Sequence, residues 1–186
     1  MEAEAERYNV LDAKAYVQFL RASIALAAGE IQAARRFVGL ARSASTHGSP
    51  PPHFKAAIEG LSAHISVFEP SSGPTAGLRG LADALRMAVD AGSAETVTAH
   101  LADAAGPRWH SRAVRGRGPV LAASDTWRAN VPRPAVEQAQ IAETKERIRA
   151  ELGAQRYQAE HTDGRALTTE EVVSFLTAIT AGLTRN

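Results

Sequence analysis

The chain contains no cysteine. That excludes disulfides, thiol nucleophiles and cysteine-ligated zinc, and it agrees with a reducing, cytosolic setting. Aromatic residues make up only 5% of the chain against 45% hydrophobic residues in all, so a core has to be assembled from Ala, Leu, Val and Ile. Side chains that small let helices approach closely, which favours helix-on-helix packing. Net charge is nearly absent: 21 basic residues face 20 acidic ones, a formal +1, so no global field draws the chain to nucleic acid or a membrane surface. No apolar run reaches the ~18 residues that mark a membrane span. The first ten residues, MEAEAERYNV, lack the basic-then-apolar layout of a secretory signal. These absences predict a cytoplasmic chain with no membrane contact. Lysine is scarce too, 3 against 18 arginines, which reads as coding bias and not as mechanism.

Period-two alternation is also missing, so no strand is predicted and the expected fold class is all-α. What is present is a succession of helical patterns. Val10, Tyr16, Val17, Leu20, Ile24 and Ala27 recur at nearly helical spacing and predict a helix over 4–28 with that face buried, stopped by Gly29. Ile31, Ala34, Val38 and Ala41 predict a second helix over 30–45, which makes an antiparallel hairpin with the first. The spacing of Ala22, Ala34, Val38 and Ala41 partly matches the small-residue pattern of a tetratricopeptide-like helix pair. THGSPPPH (46–53) breaks the chain, because consecutive prolines favour extended geometry. A third helix is predicted over 54–68 through Phe54, Ile58, Leu61, Ile65 and Phe68. A fourth is predicted over 75–91 through Leu78, Leu81, Leu85 and Val89. Gly92 closes that helix, and Ser93 caps a fifth reaching 104, with Val97 and Leu101 inward. The turns at Gly29 and Gly92 lie 63 residues apart and share the order helix, Gly, polar residue, helix. That repetition suggests an array of helix pairs.

The segment 106–118 is irregular and basic, with Arg108, Arg112, Arg115 and Arg117 and no acid. Beyond it, Leu121 and Trp127 mark a helix over 120–130, and VPRP interrupts the chain. Pro134 suits the first turn of a long helix to 152 that runs through Val136, Ile141, Ile148 and Leu152. Gly153 ends it. A short helix over 154–160 carries Tyr157, and a loop over 161–167 follows. Thr168 and Glu171 form the pattern of a capping box, flanked by Leu167 and Val172 as a hydrophobic staple. The last helix presents Val172, Leu176, Ile179 and Leu183 on one face.

Chemistry is hard to find. The six histidines, His47, His53, His64, His100, His110 and His161, include no H-E-x-x-H and no i, i+4 pair, so no metal site and no cofactor is predicted. Glu143, Glu146 and Glu151 interleave with Lys145, Arg147 and Arg149 as a solvated face with helical ion pairs, in preference to acid–base machinery. Ser43, Ser45, Ser71 and Ser72 sit in breaks without His–Asp company. No catalytic residue is assigned, and the chain is read as a non-enzyme. Arg108, Trp109, His110, Arg112, Arg115 and Arg117 form one candidate contact for a phosphate backbone or a stacked base. The competing reading is a solvated loop whose Trp109 tucks into the helices, and direct nucleic-acid binding is not favoured. Met87, Phe37, Phe54, Phe68, Tyr8 and Tyr16 are read mainly as core, though they would also suit a ligand groove between hairpins.

The order of 121–183 carries a resemblance. LAASDTWRANV, the joint VPRP, a long charged helix ending at Leu152–Gly153, a short aromatic-bearing helix and GRALTTEEVVSFL (164–176) follow one another. This order resembles the end of the tetratricopeptide-like region of large LuxR-type and SARP-type bacterial transcriptional regulators. It implies a regulatory, protein-binding module that sometimes senses a small molecule. The G-x-x-x-x-G-K-[ST] motif of that family's ATPase module is missing, and no DNA-reading helix pair follows Leu183. ATP hydrolysis and DNA binding are therefore not carried over.

The expectation is an all-α, tetratricopeptide-like array of about eight helical segments in one domain over 1–186, with sub-blocks 1–105 and 119–186 joined by the basic loop 106–118. Its partners would be another protein or the rest of a larger regulator, a small-molecule effector, or a second copy in a homodimer. The alternative is a small helical ligand-binding protein or enzyme with a buried polar pocket.

Overall fold

A computed structural model describes residues 2–68, 73–92, 117–128, 132–133 and 135–183. Among them lie eight helices and no strand: α1 (Glu2–Ala27), α2 (Ile31–His47), α3 (Pro52–Ser66), α4 (Gly73–Asp90), α5 (Arg117–Arg128), α6 (Ala135–Leu152), α7 (Ala154–Gly164) and α8 (Thr169–Leu183). The fold class is all-α, as the missing period-two patterns predict. The helix expected over 93–104 and the basic segment up to residue 116 lie outside the described residues.

α1 and α2 form the predicted hairpin. Gly29 holds φ +78°, a conformation that costs an L side chain about 1 kcal/mol or more. The amide of Glu30 donates to Ala25 O at 2.8 Å and that of Gly29 to Leu26 O at 3.0 Å, the paired bonds of a Schellman ending. Gly92 (φ +59°) and Gly153 (φ +80°) end α4 and α6 with the same sign of φ.

The face of α1 that buries itself is not the predicted one. Ala15, Ala22 and Ala25 are buried, with Phe19 and Leu26 partly so. Val10, Tyr16, Val17, Leu20 and Ile24 are exposed. Two stripes run along this helix, and the alanine stripe meets Ala34, Val38 and Ala41 of α2 because methyl side chains allow the closest approach. Ile58 and Ile65 of α3 complete that core.

A second core joins helices far apart in the chain. Leu78, Leu81 and Leu85 of α4 pack with Val120, Ala123 and Trp127 of α5 and with Val172, Val173 and Leu176 of α8. Thus α8 returns to pack on α4, and α5 pairs with α7, so neighbours in space are not simply neighbours in sequence. A third, smaller core holds Leu121, Ile141 and Ile148, with Leu152 and Tyr157 against them.

Several boundaries shift from the expected ones. α3 begins at Pro52, inside the expected break, because Pro51 (φ −55°, ψ 146°) supplies the extended residue and a proline fits the first helical turn. Arg117 opens α5 instead of closing a loop. α7 continues through His161 to Gly164, a turn past its expected end. There, a Cβ on Gly164 would lie 2.5 Å from Pro119 O, so only glycine lets α7 touch the start of α5. The capping box forms as predicted: Glu171 N–H donates to Thr168 Oγ1 at 3.2 Å, and Thr168 N–H donates to Glu171 Oε2 at 2.8 Å.

Candidate functional site

Two places in the fold carry more than packing. The first is the outer face of α1. Val10, Val17 and Ile24 recur every seven residues, with Ala13, Leu20 and Ala27 set between them at the complementary heptad positions. This is the spacing of a helix seam that seeks another helix. It runs for about 26 Å at 1.5 Å per residue. Yet Val10 is 66%, Val17 46%, Leu20 42% and Ile24 70% exposed. Scattered exposed apolar residues need no explanation, whereas these line up along one face of the helix.

The two edges of the seam differ. On the side facing α2 stand Lys14 and Arg21. The Arg21 guanidinium lies 5.9 Å from the centre of the Phe37 ring, and that of Arg36 lies 4.9 Å from the same ring. On the other side Tyr16, 53% exposed, rests 5.7 Å from the Phe54 ring of α3, which Phe19 meets edge-on at 5.5 Å. Neighbouring charges are already engaged. Asp12 Oδ1 accepts from Ser49 N–H at 3.0 Å, and Arg42 Nε donates to Glu59 Oε1 at 2.8 Å. Among the described residues no carboxylate pairs with Lys14, Arg21 or Arg36. The face is therefore apolar along its middle, basic on one edge and aromatic on the other.

The second place is a polar knot between α5, α6 and α7. Asp125 of α5 accepts from Lys145 Nζ of α6 at 2.5 Å on Oδ2, and its Oδ1 forms an ion pair at 2.7 Å with Arg133 Nη2 of the α5–α6 joint, outside hydrogen-bonding geometry. His161 Nε2 of α7 lies 3.8 Å from Oδ2. Arg133 also donates to Ser124 Oγ at 3.3 Å. These side chains are mostly buried, so the ion pairs are screened less than surface ones. Tyr157 stands beside the knot, 5.8 Å from the His161 ring. Burial lifts its phenol above the usual value, and the Asp125 carboxylate lifts it further against the opposing pull of Arg149. The geometry ties three helices together. Its carboxylate is occupied by cations from two sides, so it reads as structural and not as a general base.

Of the residues singled out in the sequence, Arg108, Trp109, His110, Arg112 and Arg115 lie outside the described residues, and of Arg117 only the backbone is described. Lys145 leaves the solvated face expected of it and turns inward to Asp125, while Glu146 keeps an i, i+3 pair with Arg149 at 3.9 Å. Among the described residues no group of three or more His, Asp or Glu could hold a metal ion. Tyr16 meets Phe54 on one side of α1, and Phe37 packs against the same core on the α2 side. Met87 is 41% exposed on α4, Phe68 stacks on His64, and the Tyr8 side chain is outside the described residues. The concavity beside Gly153, lined by Leu152, Ala154, Gln155, Arg156 and Ala159, is an open depression with few polar groups. It lacks the converging donors and acceptors of a ligand pocket. No helix among the described residues is long and apolar enough to cross a membrane. Asp125 went unmarked in the sequence, since no spacing links it to Arg133, Lys145 and His161. No family model matches the chain, and no curated protein or solved structure matches it either.

Proposed function

We propose that the chain is a non-catalytic, protein-interaction module of a transcriptional regulator, cytoplasmic and tetratricopeptide-like in its helix pairs, which recognises its partner through the outer face of α1. The observation that carries this reading is the unpaired heptad stripe of Val10, Val17, Leu20 and Ile24. The link to LuxR-type and SARP-type regulators rests on the order of motifs in 121–183. The Thr168–Glu171 capping box and the Gly153 turn within that order support it as local structure. A stripe of large aliphatic side chains serves no reaction and stabilises nothing while it stays in water. It serves a complex by burying apolar area at its centre, where binding energy concentrates.

The test is recovery of a partner from extracts of the native host by the intact chain and by a Leu20→Asp, Ile24→Asp variant. A partner held by the intact chain, lost with the double variant and retained by Glu146→Lys, supports the reading. Equal recovery by all three overturns it. For the regulator assignment, the recovered protein or the continuous reading frame has to contain an ATPase or DNA-binding module.

A further inference from the structure

The two edges of the α1 face say what kind of helix it takes. Resting on the reading that this face is a contact surface, we propose that its partner is an acidic amphipathic helix of another protein, laid along α1 with its carboxylates over Lys14, Arg21 and Arg36. The apolar stripe supplies a seam of aliphatic residues about seven apart, and a complementary seam has to carry the same period. The flanks of such a seam set partner choice through charge. Here the α2-side flank offers three cations with no carboxylate paired to them among the described residues, two of them gathered on the single ring of Phe37. The opposite flank is aromatic and uncharged, Tyr16 on Phe54.

A second copy of the chain answers these edges poorly. In antiparallel pairing Lys14 of one copy would face Arg21 of the other, like against like. In parallel pairing the basic edge would face the Tyr16 edge, which carries no carboxylate between Val10 and Ala27. Over that span the helix carries a single acid, Asp12, and it is held by the Ser49 amide. An acidic helix neutralises all three cations while it covers Val17, Leu20 and Ile24.

Two synthetic helices of about three heptads test this. Both carry leucine along the seam, one with glutamate and the other with lysine on its flanks, so like charges keep each from pairing with itself. Titrated against the intact chain at low salt by fluorescence anisotropy, the glutamate helix is expected to bind at least about tenfold tighter than the lysine helix. Raising salt should erode that preference. In the doubly reversed variant Arg21→Glu, Arg36→Glu the preference should invert. Sedimentation of the chain alone, and melting of every variant, run alongside. Equal affinity for both helices, abolished by Leu20→Asp, overturns the acidic partner and leaves the contact surface standing. So does self-association of the chain that Leu20→Asp dissolves. If neither helix binds and Leu20→Asp changes nothing, both the acidic partner and the contact surface fall.

Discussion

Asp125 Oδ2 and Lys145 Nζ lie 2.5 Å apart although twenty residues separate them, and Arg133 holds the other oxygen of the same carboxylate. One short acidic side chain thereby fixes the α5 helix, the joint after it and the α6 helix. Removing it strands two partly buried cations. Asp125→Ala is expected to lower unfolding free energy by about 2 kcal/mol, less than a fully buried pair because all three side chains retain some exposure. Denaturant melts check this, and pairing with Lys145→Met in a double-mutant cycle should show coupling of about 1 kcal/mol.

The phenol of Tyr157 gives a pH signature. Its folded-state value lies above the ordinary 10.0, so the unfolded chain ionises first. The stabilisation is whole below about pH 10 and is lost as pH rises through the folded-state value. Phenolate ultraviolet absorbance, taken as the difference between the protein and Tyr157→Phe, should titrate above the ordinary phenol value of 10.0. The Tyr157→Phe variant should also lose less stability in that window. Removing Asp125 should bring the Tyr157 titration down.

At the start of α8 the reciprocal Thr168–Glu171 bonds satisfy amide donors that the helix itself cannot. Thr168→Ala should cost about 1 kcal/mol, whereas Thr168→Ser should cost little, since serine keeps the capping oxygen. Thermal melts of the three proteins decide it.

Close approach makes Gly164 intolerant. Its missing Cβ would press on the Pro119 backbone, and backbone cannot swing aside like a flexible side chain. Gly164→Ala should therefore cost about 1–3 kcal/mol, although alanine is the better helix former by about 1 kcal/mol at an open site.

The two apolar stripes of α1 can be told apart by substitution. Ile24→Ser, on the exposed stripe, should change stability by no more than about 0.5 kcal/mol. Ala22→Leu on the buried stripe should cost about 1–3 kcal/mol by pushing α2 away. Leu85→Ala, in the core between α4, α5 and α8, should cost about 3 kcal/mol. If Ile24→Ser were as damaging as Leu85→Ala, the face of α1 would be core after all.

The helices among the described residues, the glycine stops and the capping box were legible because each is local. Gly29, Gly92 and Gly153 end helices with positive φ, and the bonds of Thr168 to Glu171 span three residues. The buried sides of α2 and α4 were legible as well, since each has one apolar stripe and only one way to hide it. On α1 periodicity failed. That helix has two apolar stripes, and the larger residues were the natural choice for burial. The site was therefore written in the sequence but assigned to the wrong side. Asp125 failed for another reason, since an isolated acid in a helix looks like any solvated one.

By itself the sequence determined an all-α chain, the breaks between helices, and a core of small and aliphatic residues, because backbone geometry and side-chain period act over a few residues. Tertiary structure alone decided that α8 lies on α4, that Lys145 turns inward to Asp125, and that the alanines of α1 are buried while its valines, Leu20 and Ile24 meet water. Those outcomes depend on which surfaces fit most closely once helices distant in the chain come together, and no local pattern encodes that competition.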